Sequence, residues 1–364
     1  MTNEQSGSAA APDDMSILII NGLRRPPIGR EIYDACLSNK INAHYIDAGK
    51  LKRRLGYKLL KSIKKAIYRM RGNTAYCSVP RLSRASQNQI ADYILSNKPD
   101  IVMVIGFSYP FLHKNFFKNL QKQVPFMSVL MDTEFGNFTF DYPKFSFYVT
   151  EEIHRYDKVI TFSRRVAEFL EGKQDVVMGP VGYPVLPPPR EQTVKYDICF
   201  FGGVDVRRSF MLEKLKGRNL IVYGAAWEKY RPFLSRELMD KIVTENIYGE
   251  GLQDLVAQSK IILNITSSSF YSLDAGVSQR IHLVLAMQGF LLTDYCSELE
   301  DLFTIGEEIE VFRSQEEMID KIDFYLKHDE LRKKIARQGH EKFLKCFTWE
   351  SRIPDFFKQI SLKS

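Results

Sequence analysis

Short apolar runs and amphipathic stretches take turns along this chain. From Ser16 onward the runs "ILIING" (17–22), "DIVMVIG" (100–106), "FMSVLMD" (126–132) and "DKVITFS" (157–163) are too continuously apolar for strands with a wet face. Between them lie "IGREIYDACLSN", "PFLHKNFFKNLQKQ" and "RRVAEFLEGK", which repeat their apolar positions at helical spacing. Strands buried on both faces, with helices in between, are the mark of a parallel sheet covered on both sides. The rhythm stops at "GYPVLPPPREQ" (182–192), where four prolines fix φ and remove backbone donors, so no element can continue. It restarts with "YDICFFGG" (196–203), a helix over 205–216, "NLIVYG" (219–224), the segment "VTENIYGE", and a helix over 251–258. "KIILNIT" (260–266), a helix over 278–288, a buried strand over 290–293, "IEVFR" (309–313) and a run of charged helices complete the series. The pattern predicts an α/β protein of two doubly wound, Rossmann-like domains, 16–183 and 195–347, joined by a Pro-rich linker over 184–194. Open sheets of this kind bind ligands beyond the carboxyl ends of their strands, here in a cleft between the two domains.

Composition adds limits to that picture. The chain has 364 residues, 45% hydrophobic and 26% charged, enough for one or two ordinary cores. No stretch approaches the roughly 18 to 20 apolar residues of a membrane span. The first residues, "MTNEQSGSAAAPDDM", lack a basic-then-apolar signal; 1–15 is expected to be a disordered tail and the protein to be cytoplasmic. Five widely spaced cysteines without a C-x-x-C pair suggest reduced thiols and no zinc framework. The formal charge of +7 has a local source. Residues 50–72, "KLKRRLGYKLLKSIKKAIYRMRG", hold ten Lys or Arg and no acid, with Leu51, Leu55, Leu59, Ile63, Ile67 and Met70 on one helical face. Such a helix either packs its stripe on its own domain or lies on an anionic membrane surface. Nucleic acid is the remaining reading, which the charge favours although no base-reading motif or aromatic interleaving accompanies it.

Two places could hold an anion. In "CFFGGVDVRRSFMLEKL", Gly202 and Gly203 follow a buried strand and precede a helix with Arg207 and Arg208. Glycines admit a ligand to the backbone, a helix start offers free N–H groups, and two guanidinia can neutralise a diphosphate. The spacing is neither G-x-G-x-x-G nor a Walker loop, so a dinucleotide-dependent oxidoreductase or a P-loop NTPase is not supported. The other reading is a tight turn followed by two solvated arginines. The second place is "GVSQRIHLVLAMQGFLLTD", where Ser278, Gln279 and Arg280 open a helix. A cation at the positive end of the helix dipole calls for a negative partner: a bound anion, or a salt bridge to Asp274 or another acid. Asn264 ends the strand before it and could hydrogen-bond a ligand or turn backbone.

Several of these segments resemble one family. "YDICFFGGVDVRRSFMLEKL", "GLQDLVAQSKIILNI", "GVSQRIHLVLAMQGFLLTD" and "RKKIARQGHEKFLKCFTWESR" resemble, in order and spacing, the CgeB-like glycosyltransferases, the spore maturation protein CgeB group with a group 1 glycosyltransferase C-terminal domain. "PDIVMVIGFSYP", "FMSVLMDTEFG" and "HRYDKVITFSRR" resemble the accompanying N-terminal domain in order more than in detail. The resemblance implies a GT-B glycosyltransferase with a nucleotide-sugar donor on the C-terminal domain and a glycan or lipid-linked acceptor on the N-terminal one. It implies no cofactor and no metal. Arg280, with the Gly202–Gly203 turn and Arg207 or Arg208, would offset charge growing on the leaving diphosphate. "IYGEGL" falls where the family meets the nucleobase, which makes Tyr248 a candidate base contact, or else a packed strand-end tyrosine. The family's acid after the arginine is replaced by Leu283 in "RIHL", with His282 as a substitute polar contact. A binding protein that has lost turnover is the alternative that this replacement raises. "VLMDTEFG" offers Asp132 and Glu134 as metal ligands of the GT-A kind, as a general base or acceptor-orienting group in GT-B, or as a turn cap. His113 and His154 lie in polar helical contexts that suit the surface. "FTWESRIPDFFKQI" (347–360) is expected to form a last helix, and 348–364 to cross back to the N-terminal domain, as in GT-B enzymes.

Overall fold

The computed structural model describes residues 15–22, 27–72, 76–106, 111–131, 142–179, 181–188, 192–275 and 277–361. Two compact units divide the chain: Met1–Pro180 with Arg352–Ser364, and Val181–Ser351.

The first unit is built from β1 (Ser16–Asn21), α1 (Ile28–Ser38), β2 (Asn42–Asp47), α2 (Tyr57–Met70), α3 (Arg84–Asn97), β3 (Ile101–Ile105), α4 (Phe116–Gln121), β4 (Met127–Met131), α5 (Tyr142–Phe147), β5 (Lys158–Thr161), α6 (Arg164–Leu170) and β6 (Val176–Met178). Its sheet runs β2-β1-β3-β4-β5-β6 with every pair parallel. All five residues of β3 are buried, as are five of the six in β1 and four of the five in β4. That two-sided burial is why these strands read as unbroken apolar runs.

The second unit contains β7 (Tyr196–Phe201), α7 (Val206–Glu213), β8 (Leu220–Tyr223), α8 (Arg236–Met239), β9 (Ile242–Val243), α9 (Gly249–Ala257), β10 (Ser259–Asn264), α10 (Ser268–Tyr271), α11 (Gln279–Ala286), β11 (Leu291–Asp294), β12 (Glu310–Phe312), α12 (Gln315–Lys327), α13 (Asp329–Cys346) and the start of α14 (Trp349–Ser361). Its parallel strands lie in the order β12-β11-β10-β7-β8-β9, so the winding reverses between β7 and β10. Side chains alternate along β7 to feed two cores: Ile198 and Phe200 pack with Leu263, Leu292 and Met318, while Cys199 and Phe201 pack with Ile262, Leu285 and Phe343.

The run pattern misses β2, β6 and β9. All three are sheet edges, half-exposed or only two or three residues long, and an edge strand has no reason to be apolar throughout. A larger correction concerns 50–72. The helix spans only Tyr57–Met70 and follows Gly56 at φ +67°; before it, Arg53 bridges Leu82 in an antiparallel pair. None of its residues is buried, so its apolar stripe does not pack on its own domain. In the Pro-rich connector, residues 181–188 form no regular element, and Tyr183 pairs with Thr348 at the start of α14.

Helix α13 crosses the second unit at Gly339. A Cβ there would come within 2.2 Å of the Glu308 carbonyl oxygen and 2.8 Å of Leu285 Cδ2, distances no side chain can occupy without moving backbone. Alanine is the better helix former by roughly 1 kcal/mol, yet Gly339→Ala should lower stability by about 1–3 kcal/mol through overpacking. A fall in the unfolding midpoint is the expected result; an unchanged or raised midpoint would contradict the close contact.

Candidate functional site

The reversal between β7 and β10 places the carboxyl ends of those strands, and of β11 beside β10, next to one another. Open α/β sheets bind ligands at such a point. Three arginines meet there, and their partners differ in kind.

Arg207 is committed to protein. Its guanidinium forms a bidentate pair with Asp294, Nη1 to Oδ2 at 2.7 Å and Nη2 to Oδ1, donates to the Thr266 carbonyl at 3.0 Å, and lies 3.8 Å from the Tyr271 ring centroid. Asp294 also accepts from Thr266 N at 2.6 Å. Burial raises the Asp294 carboxyl above its ordinary value despite the pull of Arg207. Arg208 is committed as well, with Nε on the Ile265 carbonyl at 2.8 Å and Nη1 on the Gly203 carbonyl at 2.7 Å. Asp205 caps α7 by accepting from Arg208 N at 2.9 Å and also accepts from Ser268 N at 3.1 Å. These bonds tie the loops after β7, β10 and β11 into one rigid unit. Arg207 and Arg208, expected from the sequence to meet a diphosphate, thus have protein partners of their own in Asp294 and carbonyl groups.

Arg280 is different. It is half-buried and donates from Nη1 to Asn264 Oδ1 at 2.6 Å, with Phe200 and Phe201 ring centroids 5.7 and 5.5 Å from Cζ. Among the described residues no carboxylate forms an ion pair with it. Asp274, the acid nearest in sequence, accepts from Ser297 N and Oγ at 3.3 and 2.7 Å. Burial, then the like charge of Arg208, pushes the Arg280 guanidinium down from its ordinary value to about 9. The folded protein therefore binds this proton less well than the unfolded chain. The fold carries an electrostatic cost below about pH 9 that eases as pH rises from there toward the unfolded value. An anion would relieve the same cost at neutral pH.

Gly202 makes room for this cation. Its φ is +155°, and a Cβ would fall 2.5 Å from Arg280 Nη2. Gly203 is exposed, with open space where a Cβ would stand. Asn264 is fully buried, and its Nδ2 donates to Thr293 Oγ1 at 2.7 Å, which turns Oδ1 toward Arg280. Ser278 is the N-cap residue of α11 yet makes no side-chain cap bond. Ser278 Oγ, Gln279 Nε2 and Thr266 Oγ1 are buried without a hydrogen-bond partner among the described residues, the state that buried polar groups normally avoid. Thr266 also lines a cavity of about 250 Å³ with Tyr271, Asp274, Ala275, Tyr295 and Cys296.

The remaining sequence candidates fall elsewhere. His282, expected as a donor contact, is fully buried, with its ring 4.8 Å from Phe347 and 6.2 Å from Phe303. Leu283 is half-buried in the same core. Tyr248 is exposed at the N-cap of α9. Asp132 and Glu134 lie outside the described residues. His113 and His154 are exposed. Among the described residues no group of three His, Cys, Asp or Glu could hold a metal ion, and no helix is long and apolar enough to cross a membrane. Sequence reasoning missed Asp205, Thr266 and Asp294. Their one signal was position, each standing at or just past a strand end.

A family model described as "Glycosyl transferase-like" matches residues 207–358. No curated protein matches the chain. Solved structures share its fold at low identity. A glycosyltransferase from Rickettsia africae is 15% identical with a TM-score of 0.57, over 95% of this chain and 97% of its own. A sucrose-phosphate synthase from Thermosynechococcus elongatus is 11% identical with a TM-score of 0.61, over 95% and 98%. Anabaena Alr3699/HepE, solved in complex with UDP and glucose, is 11% identical with a TM-score of 0.60, over 95% and 99%. The chain thus has the GT-B fold, two Rossmann-like units each with a parallel sheet between helices.

The two kinds of arginine predict different losses. Arg207→Ala should lower stability by about 3 kcal/mol, because it strands a buried carboxylate, and Arg207→Lys should not restore it, because a lysine cannot form the bidentate pair. Urea unfolding checks this. A variant that keeps its stability but loses a ligand would show that Arg207 is a binding residue after all.

Proposed function

We propose that the protein is a glycosyltransferase that moves a sugar from a nucleotide-sugar donor to a hydroxyl acceptor, with the donor diphosphate at Arg280. The observation that carries the reading is Arg280 itself: a partly buried cation at a strand-order reversal, held by an amide rather than a carboxylate, at a helix start where Ser278 Oγ and Gln279 Nε2 are buried without partners among the described residues. A nucleoside diphosphate supplies both what the cation lacks and the acceptors and donors those atoms lack. As the bond from the anomeric carbon to the diphosphate oxygen breaks, its electron pair remains on that oxygen. A fixed guanidinium and the open N-terminus of α11 stabilise the growing charge without reorganisation. The positive charge comes from the chain, so this reading needs no divalent cation. The cavity beside Thr266 receives the sugar portion, Tyr248 the base, and Asp132 or Glu134 takes the acceptor's proton. The match over 207–358 and the motifs of the second unit support a place near the CgeB-like group, and the Anabaena complex makes UDP the first nucleotide to try. Leu283, where that group has an acid, favours a second reading, a protein that binds the donor without transferring sugar.

A thermal-shift series with nucleoside diphosphates and their sugars tests the reading. A ligand present at 100 times its Kd should stabilise the fold by about 2.7 kcal/mol. Arg280→Gln should keep the unliganded midpoint within a few degrees and lose most of that shift; a shift that survives the substitution would place the diphosphate elsewhere. Release of free sugar or transfer to an acceptor then separates enzyme from binder.

The pH dependence has a definite sign. An anion raises the Arg280 pKa, so ligand and proton bind together. Affinity should be flat below about pH 9, where free Arg280 is charged, and fall by up to tenfold per unit above it. Calorimetric titration of wild type shows this dependence if Arg280 is the partner, and Arg280→Gln should abolish it.

A further inference from the structure

Helix α2 is turned the wrong way for a soluble surface. An amphipathic helix normally puts its apolar stripe on the core and its charges in water. Here the half-buried positions are Tyr57, Lys61, Lys64 and Tyr68, one per turn along a single face. That face is fastened by polar contacts: Lys64 Nζ donates to the Ser78 carbonyl at 2.8 Å, Cys77 Sγ donates to the Lys61 carbonyl at 3.9 Å, and Lys61 Nζ lies 5.7 Å from the Tyr76 ring centroid. The apolar residues point away. Met70 is 79% exposed and Leu59 66%, with Ile63 and Ile67 also exposed between them and Leu55, just before the helix, at 99%.

Charge runs alongside the stripe. Lys52, Arg53, Arg54, Lys58, Lys65, Arg69 and Arg71 are all exposed, and no acid occurs from Lys50 to Gly72. The chain's whole formal excess is +7, so this one segment accounts for a share far beyond its length. An acidic protein groove would match the charge, and a second copy would match the stripe but set cation against cation. Nucleic acid would match the charge and leave five large apolar side chains in water. An anionic bilayer matches both, since it offers phosphates at the level of the basic side chains and acyl carbon a few ångströms deeper.

We propose that α2 and the residues before it are a membrane-docking surface, with Leu55, Leu59, Ile63, Ile67 and Met70 entering the headgroup and acyl boundary of an anionic bilayer and the flanking Lys and Arg side chains on lipid phosphates. The docking stands apart from the reading of the Arg280 site and needs no donor. Taken with that reading, on which this one step rests, it sets the transferase beside acceptor hydroxyls carried on lipids.

Flotation with vesicles tests it, using the full chain without detergent. Wild type should float with vesicles of phosphatidylcholine mixed with phosphatidylglycerol, remain behind with phosphatidylcholine alone, and detach in high salt. Lys58→Gln, Lys65→Gln, Arg69→Gln and Arg71→Gln together should weaken partitioning on the order of a hundredfold or more. Leu59→Ser with Ile63→Ser should abolish it while leaving the circular dichroism spectrum, the melting temperature and the nucleotide-induced thermal shift unchanged, because these positions are exposed and belong to the first unit. Equal binding to neutral vesicles, no binding to anionic ones, or binding that survives both sets of substitutions overturns the proposal. So does a dimer that Leu59→Ser disperses, which would give the stripe to a second copy. Salt-sensitive binding to RNA that ignores the leucine change would give the helix to nucleic acid.

Discussion

A guanidinium pressed against a bare Cα, and answered by an amide instead of a carboxylate, is the constraint around which the second unit is arranged. Gly202 has no side chain where Arg280 Nη2 needs the space. Asn264 is sealed in the core, and its amide is turned by Thr293. The glycine loop, in turn, is held where it is by Arg208, and the neighbouring strand ends by Arg207 with Asp294. The three arginines thus divide by what they face. Those that meet carboxylates or carbonyls tie the loops together, and the third is held by an amide. Under the proposed function that rigidity would matter for the third, because a preorganised charge stabilises a transition state without first having to be moved.

How far the sequence revealed this depended on the range of the interaction concerned. Strands buried on both sides are legible because burial leaves a local trace, and β1, β3, β4, β7 and β10 stand within a residue or two of the apolar runs. Edge strands leave none, and so β2, β6 and β9 passed unread. Gly202 and Arg280 stood out in the sequence because glycine after a buried strand and a cation at a helix start are both locally odd, and the fold does bring the two together. Arg207 and Arg208 looked equally available, and what decides their role is Asp294, 87 residues away from Arg207, together with carbonyl groups that leave no sign in a sequence. The buried aromatic setting of His282 was hidden in the same way, since Phe303 and Phe347 arrive from distant turns. With α2 the stripe was readable and its direction was not: periodicity shows that a helix has two faces, but not which one the fold turns outward.

The comparisons divide along the same line. The solved structures share the fold over 95% of the chain at 11–15% identity, as expected when a core needs apolar residues of about the right size at the right period and little else. The family model is confined to residues 207–358, the stretch that carries the Arg280 helix, Asn264 and Asp294.

The last helix has a consequence for how the molecule comes into being. From Arg352 onward it belongs to the first unit, and Ile353, Phe356, Phe357 and Ile360 are all buried. Domains usually fold in order as they leave the ribosome, the N-terminal one first. Here residues 352–360 of the unit begun first are translated only after the whole of the second unit, so the first unit is still incomplete in sequence when the last residue of the second has been made.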